Sequence, residues 1–177
     1  MKTLKQLRHS ADLYWLAFLL TGHHEIAFDV TEQTMDLTDG RNGFFSAWIV
    51  SWSRRLVIAR ALAAVRENLA RSARRTALRH TGNSEFPPRS WVLDGGATKS
   101  DLERALLPID LFPRAAVLLL VFERLPLKDA AILLDSEAEL VKKAMAAGVR
   151  DLTINLARTQ GWRTASTSAT TSEIQHA

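Results

Sequence analysis

Eight arginines, Arg54, Arg55, Arg60, Arg66, Arg71, Arg74, Arg75 and Arg79, crowd into residues 54 to 79 against one acidic residue, Glu67. Guanidinium groups at this density suit the non-covalent holding of phosphates, and a helix that spreads them over several turns can follow a nucleic-acid backbone. The rest of the chain carries 15 cations and 18 anions, so the net charge of +4 conceals a local basic segment. The competing reading is that the arginines only solvate one face of an amphipathic helix whose apolar stripe is Leu56, Ala59, Ala63 and Ala70. A solvated face usually mixes signs, which favours phosphate contact. Bond-making chemistry has no comparable support, because the chain has no cysteine, no Gly-rich phosphate loop and no HExxH. His23, His24 and Glu25 are adjacent and cannot share one helical face as metal ligands. The expectation is a binding protein, not an enzyme, with no cofactor and no metal.

A second set of candidate contacts lies in residues 111 to 157, where three apolar-periodic segments are separated by tight turns. The first is expected to open at Pro113, whose fixed φ suits a first helical turn, and to stop at Leu125-Pro126. The second repeats Leu127, Ala130, Ala131, Leu133 and Leu134 at helical spacing. Asp135-Ser136 then offers side-chain acceptors for a turn and an N-cap. The third segment places Ala138, Val141, Met145, Val149 and Leu152 on one stripe, with Glu137, Glu139, Lys142, Lys143 and Arg150 opposite. This pattern reads as a helix-turn-helix, in which the helix after the turn enters the major groove. Ser136, Glu139, Lys142, Lys143 and Arg150 become candidate DNA contacts. A generic three-helix bundle would share much of the pattern, and the turn lacks the glycine often found there.

The fold class expected is all-α, as two small helical domains joined by a linker, the C-terminal one a helix-turn-helix. The first domain takes residues 1–79, broken by the loop DLTDGRNG at 36–43, and the linker takes 80–99, with its Pro-Pro and Gly-Gly pairs. The second domain takes 100–160, and the Ser/Thr-rich residues 161–177 are expected to be disordered. The apolar run YWLAFLL is too short to span a bilayer, and no leader pattern opens the chain, so a cytoplasmic location without membrane contact is expected.

Two blocks carry a family resemblance in the right order. DLYWLAFLLTGHHEIAFDVTEQTM (Asp12 to Met35), with Ala27 and Asp29 on pattern, resembles the second conserved region of the small alternative sigma factors of bacterial RNA polymerase, the extracytoplasmic-function type. FFSAWI at 44–49 is similar to the start of that family's next helix, and the arginine-rich run sits where the family places its promoter-facing basic helix. Arg114, Leu118, Leu125, Ala131, Leu134, Val141 and Lys142 align with the fourth region. The resemblance implies that Asp29, Glu32 and Gln33 face core RNA polymerase, and that Arg54, Arg55, Arg60, Arg71, Arg74 and Arg75 hold phosphates of promoter DNA. It also implies an anti-sigma factor as a further partner, and Phe44, Phe45, Trp48 and Trp52 as stacking groups for unpaired bases. The chain departs from the family in Glu32-Gln33, where the pair is usually reversed, and in Met35, Asp135 and Glu139-Leu140-Val141. It has Ala144, Ala146 and Ala147 where the family has arginines. These departures motivate an alternative, a sigma-like interaction protein that binds polymerase or a regulator without reading promoters.

Overall fold

The computed structural model describes residues 4–39, 46–79 and 97–161, and these contain helices and no strand. Three helices open the chain: α1 (Leu4–Thr21), α2 (His24–Asp39) and α3 (Ser46–Ala64). They pack on one another through Leu13, Leu16, Ala17, Leu20, Ala27, Val30, Val57, Ile58 and Ala61. Gly22 sets the first corner. It sits at φ +75°, a left-handed conformation that favours glycine, and its N–H donates to the Phe18 carbonyl at 2.7 Å to close α1. Helix α2 continues to Asp39, so the break expected at 36–43 does not begin at Asp36; residues 40–45 lie outside the described ones.

The arginine-rich run is not one helix. Backbone at Val65 (φ −111°, ψ 17°) interrupts it, and α4 (Arg66–Leu78) follows, packing on the C-terminal helices more than on α3. This changes which residues are buried. The expected stripe is wrong in phase: Ala59, Ala63 and Ala70 are exposed and Leu56 is half-buried, while Ser53, Val57, Ile58, Ala61, Leu62, Val65, Leu69, Ser72 and Thr76 face inward.

Four more helices complete the fold: α5 (Lys99–Leu106), α6 (Leu111–Val117), α7 (Leu127–Leu133) and α8 (Ala138–Thr159). Thr98 starts α5 with a reciprocal cap, its hydroxyl accepting from Asp101 N–H while the Asp101 carboxylate accepts from Thr98 N–H. Asp110 caps α6, so that helix begins two residues before Pro113. It continues into a π-helical turn, Leu118–Phe122, and ends before Leu125-Pro126, with Arg124 at φ +53°. The turn after α7 also differs from expectation. Asp135 takes φ +48°, the left-handed place of the missing glycine, with Asp135 N–H donating to Ile132 O and Ser136 N–H to Ala131 O. Asp135-Ser136 therefore closes α7 in a Schellman arrangement, and the residue preceding α8 is Glu137, without a side-chain cap.

Helix α6 is the buried centre, with every residue from Phe112 to Val117 buried. Helix α8 lies on it through Val141, Ala144 and Gly148, a stripe rotated from the one expected: Val149 is exposed, and Ala138, Met145 and Leu152 are half-buried. The rotation follows from size. A Cβ on Gly148 would meet the Pro113 carbonyl oxygen at 2.7 Å and Val117 Cγ2 at 2.6 Å, so α8 turns its smallest residues to α6 and approaches closely. Gly148→Ala should therefore destabilise. Overpacking near the upper end of about 1–3 kcal/mol outweighs the roughly 1 kcal/mol gained in helix propensity. The expected result is a Tm lower by roughly 4–8 °C in a thermal melt followed by circular dichroism. An unchanged or higher Tm would show that the contact has room to relax.

Candidate nucleic-acid interface

Splitting the basic run between α3 and α4 sends its arginines to different neighbours. Arg54 meets Glu123 just beyond the π turn, its Nε donating to Oε2 at 2.9 Å and its Nη2 to Oε1. The pair is partly covered, with side-chain exposures of 38% and 11%. Arg75 makes a two-bond fork to Asp110, Nε to Oδ2 at 3.0 Å and Nη2 to Oδ1 at 2.7 Å. Arg60 donates to Gln33 Oε1 at 3.1 Å, Arg71 donates to Asn68 Oδ1, and Arg66 lies 3.9 Å from Asp135 in a loose, exposed pair. Arg55 and Arg74 are exposed and have no carboxylate partner among the described residues.

The same contacts set how these groups ionise. The Arg75 fork, opposed by burial and helped by Ser72 and the Leu111 N–H, holds the Asp110 carboxyl below the ordinary carboxylate range. Hydrogen bonding to Glu123 raises the Arg54 guanidinium further. Sequence reasoning missed Asp110 and Glu123, since the pairing joins helices far apart in the chain. The one local signal was Asp110 itself, an N-cap residue directly before an apolar helix.

The second set of candidates surrounds the start of α8. Ser136 is half-buried in the turn, while Glu139, Lys142 and Lys143 are exposed on the first turns. Glu139 and Lys142 pair at 2.7 Å, three residues apart on one face. Lys143 reaches back to the carbonyl of Ala77 near the end of α4 at 3.0 Å. Arg150 is half-buried beside Asp151 at 3.4 Å. Of Ala144, Ala146 and Ala147, the first is in the core, the second is exposed and the third is half-buried.

Asp29, Glu32 and Gln33 are exposed on α2. Asp29 and Glu32 share an outward stripe with Glu25, Asp36 and Phe28, the last 57% exposed. Phe44 and Phe45, the side chain of Trp48, and the linker aromatics lie outside the described residues, and Trp52 is half-buried. His24 stacks on Phe18 with ring centroids 4.0 Å apart and meets the Tyr14 hydroxyl at 2.7 Å. No group of three metal-ligating side chains occurs among the described residues. No helix among them is long and apolar enough to cross a membrane. Compared with known proteins, the chain matches no family model and no curated sequence.

His9 lies behind the Arg54 contact, with Nε2 2.8 Å from Ser53 Oγ. Burial, and then the Arg54 charge, push the imidazole below its ordinary value, and Asp12 opposes them weakly. The folded chain thus holds fewer protons on His9 than the unfolded chain just below about pH 6.5, so stability must fall as pH drops through that window. The Tm at pH 5.5 should be lower than at pH 7.5, and His9→Gln should reduce the difference. An equal pH dependence in the variant would remove His9 as its source.

Proposed function

We propose that the chain is a sigma factor-like protein of transcription initiation. In this reading α1 to α3 grip core RNA polymerase through Asp29, Glu32 and Gln33, and α7, its turn and α8 form a helix-turn-helix that meets duplex promoter DNA. The observation that supports it best is the separation of charge by surface: α2 presents an acidic stripe, whereas α3 and α4 present Arg55, Arg66, Arg71 and Arg74. An acidic face with an exposed aromatic suits a protein partner, and a basic one suits phosphates. The arginines hold the backbone in register, while Ser136, Glu139 and Lys142 lie nearest to base edges.

A second reading is favoured by the charge on α8. Glu137 and Glu139 cancel Lys142 and Lys143 on its exposed first turns, and Arg150 is held beside Asp151. A neutral surface in the groove position suits a sigma-like protein that binds polymerase or a regulator and leaves promoter sequence unread.

Run-off transcription with core polymerase on a pooled promoter library, with polymerase co-purification followed in the same sample, separates the two. Specific transcripts support the first reading, and polymerase binding without transcripts the second. Failure of both removes the polymerase assignment. For the groove placement, Lys142→Ala with Lys143→Ala should weaken DNA binding on every sequence and lower the slope of log K against log salt by about 2. An unchanged slope would sink that placement.

A further inference from the structure

Helix α7 leaves one side uncovered, and the residues on that side are patterned. Lys128, Ala131, Ile132 and Asp135 follow one another at spacings of three and four residues, and with Leu127 and Ala138 they line a shallow hollow of about 660 Å³. Ile132 is 70% exposed, whereas Leu127, Leu133 and Leu134 around it are buried or half-buried. On its other flank a cleft of about 280 Å³ lies between it and Ala59, Ala63 and Ala70 of α3 and α4. Ile132 is therefore an apolar ridge between two hollows that its own chain leaves unfilled. The stripe ends in opposite charges. Lys128 has no carboxylate partner among the described residues, and Asp135 has only the loose contact with Arg66 at 3.9 Å, in which both side chains are mostly exposed.

We propose that this face pairs with a second copy of the chain, α7 against α7, about a two-fold axis that passes between Ala131 and Ile132. The axis runs the two helices antiparallel. It sets Ile132 against Ala131 of the second copy and Lys128 against Asp135 of the second copy, and symmetry repeats each contact. Large then meets small and cation meets carboxylate, so the stripe is complementary to itself. A parallel pairing in register would instead set Lys128 on Lys128 and Asp135 on Asp135. The hollow beside Ala131 has room for the incoming isoleucine because Ala131 and Ala138 are small. Ser136 lines the same hollow, so the second copy covers the turn before α8 that the groove placement leaves open. Helix α7 has seven residues, and a contact centred on it belongs to the small, weak class of specific interfaces.

Sedimentation equilibrium of the full chain should show monomer and dimer exchanging with a dissociation constant on the order of 100 µM. Ile132→Lys, at an exposed helix position, should weaken pairing at least about tenfold. Lys128→Glu should do the same by setting a carboxylate against Asp135 of the second copy, and Asp135→Lys by setting two lysines together. A one-to-one mixture of the Lys128→Glu and Asp135→Lys chains should pair again, because both of its charge contacts then join opposite signs. Lost folding cannot produce that recovery. Circular dichroism checks that each variant keeps its helix content, and Ile132→Lys and Lys128→Glu read the contact without touching the left-handed turn at Asp135. A chain that stays monomeric to about 1 mM overturns the pairing, as does a dimer that keeps its strength in both Ile132→Lys and Lys128→Glu. A mixture of folded variants that stays monomeric overturns the antiparallel two-fold contact.

Discussion

The architecture depends on burying α6 from every side. A helix without a solvent face needs neighbours on all of them, and the chain supplies α8 along one side, α4 along another and the end of α1 at a third. Each neighbour meets it differently. Gly148 and Ala144 bring α8 to backbone distance, where dispersion is strongest, whereas α4 brings Leu69, Ser72 and Thr76 and offers the Ser72 hydroxyl to the orphan N–H of Phe112. One contact is dense and apolar and the other is thin and polar. Both contacts belong to one buried apolar cluster that runs from α1 and α3 through α6 to α8.

Charge follows the same division. The arginines that distinguish this sequence meet carboxylates near the C-terminal helices at Arg54, Arg75 and, loosely, Arg66, and have no carboxylate partner among the described residues at Arg55 and Arg74. Exposed ion pairs stabilise proteins little, so the Arg75 fork matters less for the depth of the fold than for which partner the arginine holds. The Arg54 pair is better shielded from water, and it lies next to the His9–Ser53 contact that couples α1 to α3.

Much of the scaffold was legible in the sequence, because helical periodicity and turn chemistry are local. The all-helical fold and the short helix after Pro126 agree with the structure. The errors are also local in origin. Reading residues 54–79 as one helix carried the period through Val65, where the backbone turns, and so put Ala59, Ala63 and Ala70 on the wrong face. Reading Asp135 as a cap for α8 overlooked that aspartate tolerates the left-handed conformation, which lets it end α7 instead. What no local rule could supply was the pairing of Arg54 with Glu123 and Arg75 with Asp110, since these contacts exist only after the helices are packed.

The polar inventory of α8 limits how any DNA contact there would work. Direct reading of bases needs side chains whose donors and acceptors are available to the groove. Glu139, the residue best placed to accept from a cytosine amino group, is already bonded to Lys142, and Lys143 is bonded to Ala77. Ala146 and Val149 fill the next exposed positions with apolar surface, suited to a thymine methyl and to little else. A helix so equipped discriminates weakly by hydrogen bonding. If the proposed nucleic-acid contact holds, its selectivity would have to come from phosphate geometry, groove shape or a protein partner, and would rest more on the arginines of α3 and α4 than on hydrogen bonds from α8.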